Sequence, residues 1–408
     1  MTHDASGAVA LSEATDAAVV APICPACAGR ECALLYEVRN VPTNSCLLVP
    51  DRAAALDFPK GDIRLYLCGA CGFAFNGAWE PGRTVYSEDY EETQGFSPTF
   101  SAFDRELAAE LVRRYDVRNK RIFEIGCGKG EFLSLLCEIG DNRGVGYDPS
   151  FVPARRPDRA SGLVTFVQAF VDARTEIVDA DLVCCKMTLE HVAAAGRFIR
   201  DIRLAVTRSP QAVFFVQVPN FDYIVDRCAF WDVYYEHCSY FTAHSLVRLL
   251  ERSGFEVLRC RTGYDDQYLM VEARPAAASV VRRDRPGLAP SRAATFGLEA
   301  ARRQAQWRER FRDYKQRGLR TAIWGSGSKA VSFLTTVGLW DEVDDVVDIN
   351  PFRQSKYMPG SGHRIVSPQA ARANPSDVIV VMNPIYIPEI RDSFTGSGIA
   401  PEFISVEA

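Results

Sequence analysis

From Arg121 to Leu133 the chain reads RIFEIGCGKGEFL, which is a short apolar strand, a glycine loop and the start of a helix. The helix continues through SLLCEIG to a second strand, GVGYD, that ends at Asp148. Gly126, Gly128 and Gly130 let a ligand approach the backbone, and a carboxylate at the end of the next strand can accept from both hydroxyls of a ribose. A lone glycine loop is weak evidence. Here a strand precedes it, a helix follows it and the acidic residue stands at the expected distance, so the context of a nucleoside site is present. The expectation is an α/β fold with a Rossmann-like middle domain.

Upstream, FDRELAAELVRRY from Phe103 to Tyr115 has helical apolar spacing, and Val85 to Phe103 has tyrosines and acids spaced for a loop or short helix, with a surface helix as the default expectation. Further back stand Cys24-Pro25-Ala26-Cys27 and Cys68-Gly69-Ala70-Cys71. Each CxxC turn aims two thiolates at one point, and two such turns complete the tetrahedral sulfur set that structural Zn2+ prefers. A closed four-thiolate site leaves no position for water or substrate, so this metal is expected to be structural. Cys32 and Cys46 fall at no ligand spacing and are expected as buried thiols.

Downstream, DLVCCKMTLEH (Asp181 to His191) and AVFFVQVPN (Ala212 to Asn220) are further strands with their loops. TAHSLVRLLERSG, Thr242 to Gly254, is a helix with a Thr cap and a Gly stop, and FEVLRCRT and QYLMVEARP form a closing strand pair. An Ala/Arg/Pro-rich linker and a long helix, roughly Ser291 to Arg317, lead to a second glycine loop, TAIWGSGSK, and a strand ending in VVDINP. There Ser326 and Lys329 can reach a phosphate, and Tyr357, Asn383 and Tyr386 lie in loops near the same cleft. The domains expected are an arm (1–22), a zinc-binding module (23–80), a cofactor domain (81–275), linker and long helix (276–318) and a C-terminal Rossmann-like domain (319–408).

At 408 residues with 47% hydrophobic and 24% charged residues, the chain fits two or three soluble domains. A net charge of -5 lacks the basic excess of a nucleic-acid binder. No apolar run approaches a membrane span, and the N-terminus lacks the pattern of a secretory signal, so a cytoplasmic protein is expected, monomeric or weakly dimeric. Between AVFFVQVPN and the capped helix lies FWDVYYEHCSYF, Phe230 to Phe241, where rings surround Glu236 and His237. A carboxylate and an imidazole side by side among aromatics need partners or work, and this stretch is the candidate reactive centre.

The loop EIGCGKG, with Glu124 before its first glycine, resembles the first motif of class I S-adenosylmethionine-dependent methyltransferases. Lys186, Met187 and Glu190-His191 resemble that family's fourth strand and following loop, where methyl donor and substrate meet. The paired CxxC module, EIGCGKG, LEHV, YYEHCSYF, WGSGSK and DINPFRQSKYMPG in this order resemble the three-part C-methyltransferases that methylate carbon 3 of nucleotide-linked keto-deoxysugars. The resemblance covers nearly the whole chain after Pro22. It implies catalytic roles for Tyr234, Glu236, His237 and His191, with Tyr86 as a further tyrosine and Tyr90 as the other possibility.

It also implies S-adenosylmethionine held by Glu124, Gly126, Gly128, Gly130, Asp148, Lys186 and Met187. A nucleotide sugar would meet Tyr90, Glu190, Asn220, Ser326, Lys329 and Tyr386. Lys186 stands where that family often has arginine, and Ala330 where it often has glycine. Carbon becomes a nucleophile when a base removes a proton beside a carbonyl, and His237 is the expected base. Glu236 would orient it or balance its charge, and His191 and a tyrosine would donate to the enolate oxygen, roles that remain interchangeable in sequence. The alternatives are a methyltransferase on another enolisable or heteroatom acceptor, and a zinc-containing scaffold that keeps the cofactor without turnover.

Overall fold

The structure, a computed structural model, describes residues 22–158, 162–171, 175–276, 290–396, 398 and 400–408. The expected N-terminal arm and most of the 276–290 linker lie outside the described residues. The N-terminal part holds β1 (Cys32–Pro42), α1 (Arg52–Leu56), β2 (Lys60–Cys68) and β3 (Ala74–Asn76). The middle part runs α2 (Pro98–Tyr115), β4 (Arg121–Ile125), α3 (Glu131–Gly140), β5 (Arg143–Tyr147), β6 (Val164–Val167), β7 (Leu182–Lys186), α4 (Ala195–Ala205), β8 (Val213–Pro219), α5 (Phe221–Asp226), β9 (Ser239–Tyr240), α6 (Ala243–Arg252), β10 (Phe255–Gly263) and β11 (Tyr268–Pro275). The C-terminal part comprises α7 (Pro290–Gln316), β12 (Thr321–Trp324), α8 (Ser328–Val337), β13 (Asp345–Val347), β14 (Ile365–Val366), α9 (Pro368–Ala373), β15 (Val378–Val381), α10 (Ile387–Phe394) and β16 (Glu402–Ser405).

The middle sheet has the order β10-β11-β8-β7-β4-β5-β6. Its five strands from β8 to β6 run parallel, and β11 and β10 close one edge as an antiparallel pair. The order reverses beside β4, so the ends of β4 and β7 face a crevice at the switch point, where ligands bind in open α/β sheets. Residues of β8 before Pro219 are all buried, as a central parallel strand covered on both faces requires. The C-terminal sheet, β14-β13-β12-β15-β16, is wholly parallel. Among the described residues no helix is long and apolar enough to cross a membrane.

Local chemistry sets the helix ends. Ser97 caps α2 by accepting from Phe100 N–H, with Pro98 in the first turn, so this helix starts before Phe103. Thr242 and Ser245 form a reciprocal capping box on α6. The stretch from Val85 to Phe96 is irregular rather than helical, and Tyr90 and Glu91 within it are buried. Their side chains are spent on contacts with three parts of the chain, which overrides the helical spacing.

The N-terminal sheet is not closed by N-terminal residues alone. Its order is β1-β2-β3-β9, so its fourth strand comes from the aromatic segment, through Ala74 paired with Tyr240 and Phe75 with Ser239. Tyr235 lies against Gly61, where a Cβ would stand 2.3 Å from the ring. Phe230, Trp231, Tyr235 and Phe241 are fully buried, and each such phenylalanine contributes roughly 1.5–3 kcal/mol by leaving water. Phe230, Trp231 and Tyr235 join one core shared by β1, β2, α7 and α8. The rings of FWDVYYEHCSYF therefore fasten three parts of the chain together and fix the residues between them.

Candidate active site

The glycine loop after β4 closes on the end of β5. Gly126 has a φ of 70°, and a Cβ there would lie 2.1 Å from Thr188 Oγ1, so only glycine fits between the loop and the turn after β7. Asp148 Oδ2 accepts from Gly128 N–H at 2.8 Å, and Oδ1 accepts from Ser150 N–H and its hydroxyl. The carboxylate expected to face a ribose thus also holds the loop in shape. Glu124, at the end of β4, is 2% exposed, and its Oε2 has no protein partner. Burial pushes its carboxyl up to about 8, against the pull of Lys186. Lys186 itself pairs with Asp104 at 3.3 Å and lies over the Phe100 and Phe132 rings.

Glu124, Gly126, Gly128, Asp148, Lys186 and Met187 line one cavity of about 310 Å³, and Gly130 starts α3 just behind it with a φ of 86°. Open backbone at the glycines and an unpartnered buried carboxylate fit a ligand that carries a nucleoside and an ammonium group. The same cavity is walled by Tyr86, Tyr90, Glu190, His191, Tyr234, Glu236 and His237. Every residue that the sequence nominated for catalysis therefore meets the glycine loop across one space.

Within this group the imidazoles are packed edge to face. His191 and His237 have ring centroids 4.7 Å apart at 82°, and Tyr234 lies against His237 at 4.1 Å with the rings tilted by 42°. His191 Nδ1 is 2.9 Å from the Tyr86 hydroxyl, whereas His237 Nδ1 is buried without a protein partner. Burial holds His191 down at about 4 and His237 well below the usual imidazole range, with His191 and Lys329 adding to the effect on His237. Both rings are neutral at pH 7.

Glu236 is bound elsewhere. Its carboxylate accepts from Ser45 N–H at 2.6 Å, the Ser45 hydroxyl at 2.5 Å and the Tyr90 hydroxyl at 3.2 Å. No hydrogen bond joins its side chain to His237, so orientation of that ring falls to the packing of Tyr234 and His191. Burial raises the carboxyl to about 7, while the two Ser45 donors and Tyr90 pull it down. Ser45 also touches the Ser328 hydroxyl at 2.6 Å, which ties Glu236 to the first residue of α8.

A second cavity of about 230 Å³ adjoins the first, with Cys46, Glu92, Met187, Tyr234 and Ser328 in both walls. Gly325, Gly327, Ser328, Lys329, Arg353, Asn383 and Tyr386 line it, so the start of α8 points its free N–H groups at this space. The Lys329 ammonium pairs with Asp232 at 2.7 Å and contacts Gln267. Two expected substrate residues stand off the wall. Ser326 gives both its N–H and its hydroxyl to Asp348, and Asn220 caps α5 while donating to Asp266 O. Tyr357 instead bridges Val49 and Arg364.

Several site residues carry no sequence signal of their own. Lys129 inside the glycine loop is 3% exposed and donates to Tyr90 O and Ser150 O, both at 2.7 Å, fastening the tyrosine loop to the loop after β5. Arg353 donates to Ser326 O and to Glu91 O, and its Nη2 lies 3.3 Å from Cys46 Sγ. Glu91 also binds Arg155 and Asn350. A lysine among loop glycines, or an arginine in DINPFRQSK, becomes readable only when the partner carbonyls are placed.

Away from the cavities, Cys24, Cys27, Cys68 and Cys71 bring their sulfurs within 4.8 Å of one another. Cys24 and Cys71 Sγ are 3.7 Å apart and Cys27 and Cys68 Sγ 3.6 Å. A tetrahedron with metal–sulfur bonds of about 2.3 Å has edges of about 3.8 Å, so the four thiols fit such an ion. Cys32 and Cys46 stand outside this group, as their spacing implied, but only Cys46 is buried and Cys32 is half-buried.

Residues 100–259 match the family described as methyltransferase domain, and residues 283–396 match the C-methyltransferase C-terminal domain. C-methyltransferase NovU from Streptomyces niveus is 28% identical over 291 residues, which cover 67% of this chain and 68% of that protein. Among solved structures, an S-adenosylmethionine dependent methyltransferase from Mesorhizobium loti is 19% identical over 42% of this chain and 99% of its own, with a TM-score of 0.32. The N,N-8-amino-8-demethyl-D-riboflavin dimethyltransferase RosA from Streptomyces davawensis is 20% identical over 43% of this chain and 56% of its own, with a TM-score of 0.36.

Proposed function

The chain belongs to the S-adenosylmethionine-dependent C-methyltransferases, and from that premise we propose that it methylates a carbon beside the ketone of a nucleotide-linked 4-keto-deoxysugar, through an enolate. The observation that carries this reading is the convergence of two neutral imidazoles with Tyr86, Tyr90 and Tyr234 on the cavity that also contains the glycine loop. Bound S-adenosylmethionine supplies an electrophilic methyl group. The glycine loop, Glu124 and Asp148 are the residues that would hold it.

His237 takes the proton from the carbon beside the ketone. It is neutral at cellular pH, its Nδ1 meets no protein group, and its ring is fixed between Tyr234 and His191. The Tyr86–His191 pair serves the oxygen of the developing enolate. The His191 ring also hydrogen-bonds the Glu236 backbone carbonyl, so its N–H donates there while Nδ1 accepts from the Tyr86 phenol. A developing enolate oxygen would draw one of these two protons from its resting partner, in a buried place where such donors act strongly.

Glu236 acts as an anchor. Through Ser45 and Tyr90 it holds the base-bearing segment to the N-terminal module and, through Ser328, to α8. The second cavity, beneath the start of α8, is where the nucleotide part of the acceptor fits, because helix N–H groups favour phosphate. The four cysteines hold a structural zinc.

This assignment sets a pH dependence. As pH falls through about 7, the Glu236 carboxyl gains a proton and can no longer accept all three hydrogen bonds. The two histidines stay neutral across that range, so the fall in kcat/KM toward low pH is expected to come from carboxyls: Glu236, together with Glu92 at about 7 and Glu124 and Glu190 at about 8 in the same cavity wall. Glu236→Gln should make this acidic limb shallower; a limb left unchanged in the variant would remove Glu236 as one of its sources. The substrate assignment is tested by mass spectrometry of nucleotide-linked keto sugars incubated with S-adenosylmethionine. A gain of one methyl on carbon supports it, and methylation of oxygen or nitrogen acceptors only would overturn it.

A further inference from the structure

A second group of metal-type ligands lies in the wall of the larger cavity, away from the cysteines. Glu190, His191 and His237 each offer one donor atom, and these atoms lie within 4.8 Å of one another. Glu190 is 1% exposed, and neither of its carboxylate oxygens has a protein partner; His237 is 3% exposed with its Nδ1 unpartnered. A buried carboxyl with both oxygens unpaired is costly unless something positively charged or protic meets it.

The group is rigidly built. Glu190 and His191 sit on the single turn Leu189–His191 that follows β7. The segment bearing His237 is clipped to that turn by Cys238 Sγ, 3.6 Å from Glu190 O, and by Ser239 Oγ, 2.7 Å from Val192 O. Tyr86 meets His191 Nδ1 and the ring also hydrogen-bonds the Glu236 backbone, so the ring is held in place and a cation binding it would displace one of these two contacts.

We propose that Glu190, His191 and His237 form a binding site for a divalent transition-metal cation, and that a cation bound there blocks methyl transfer by occupying the His237 lone pair that proton abstraction needs. Two imidazoles and one carboxylate select cations of the Zn2+, Co2+ and Ni2+ class over Mg2+ and Ca2+. The blocking step rests on His237 being the base; the binding step does not.

The test is a Co2+ titration of the full-length protein as purified, with zinc content measured before and after. One further metal equivalent is expected, with the weak visible bands of nitrogen and oxygen coordination and without intense near-ultraviolet thiolate absorption. Glu190→Gln and, separately, His237→Ala should each weaken Co2+ binding by about tenfold or more, with circular dichroism verifying the fold. Wild-type turnover should fall over the concentration range that fills the site and return on chelation while the original zinc content is retained. The proposal is overturned by the absence of a further equivalent, by thiolate absorption on binding, by unchanged affinity in both variants, or by binding that leaves turnover untouched. Failure of the base assignment is separate: it shows as wild-type turnover by metal-free His237→Ala, whatever the cobalt spectrum.

Discussion

His237→Ala is expected to bind S-adenosylmethionine as the wild type does and to lose methyl transfer by about a hundredfold to ten-thousandfold, the range of a positioned general base. The side chain makes no hydrogen bond to the glycine loop. Its neighbours are the rings of His191, Tyr234 and Tyr240, at centroid distances of 4.7, 4.1 and 6.2 Å. Removal leaves Glu124, Asp148 and the loop glycines as they were, so calorimetric affinity for the methyl donor should hold while single-turnover rates fall. His237→Asn, which keeps polarity and part of the volume, should be as slow. Wild-type-like turnover by either variant would show that the proton is taken by another group.

Loss of the metal at the four cysteines should have the second large effect, on a part of the molecule that does not touch substrate. Structural zinc contributes about 10–16 kcal/mol in small zinc peptides, comparable with the whole stability of a domain. Here β3 follows directly after Cys71 and pairs with β9, and Asn76 N–H also donates to Cys238 O at 3.0 Å. The exit of the His237 segment therefore hangs on the turn that carries Cys68 and Cys71. Replacing Cys68 and Cys71 together by serine is expected to remove one zinc per chain, raise hydrogen exchange in β1 to β3 and abolish turnover. Affinity for S-adenosylmethionine should change far less, because the switch-point crevice belongs to another sheet. A metal-free protein that remains folded and active would sink the zinc assignment.

The elements legible in the sequence are those set by local chemistry. Gly126, Gly128 and Asp148 follow from a strand-loop-helix pattern, the paired CxxC turns from ligand spacing, and α6 from its Thr cap. What stayed hidden depends on contacts between distant parts of the chain. Ser45 reaches Glu236 across 191 positions, and Lys129 reaches the carbonyl of Tyr90 from inside another loop. The irregular path of 85–96 is imposed by Glu91, which binds Arg155 beyond β5 and Asn350 beyond β13, so helical spacing there was misleading. Nor could sequence tell that Ser326, beside an expected phosphate loop, is consumed by Asp348. The Glu236-His237 pair of the aromatic segment stood out in the sequence, yet the segment's strand pairing with the N-terminal sheet leaves no trace in its composition.

The central claim is that this protein makes a carbon nucleophile by removing a proton beside a ketone, and proton exchange without the methyl donor reads that step alone. A nucleotide-linked keto sugar proven to accept the methyl group is incubated with enzyme in deuterium oxide, and the reacting carbon is followed by NMR. The account predicts deuterium at that carbon with wild-type protein and background exchange with His237→Ala. Absence of exchange above background with wild-type protein, on a substrate it demonstrably methylates, would contradict the enolate route.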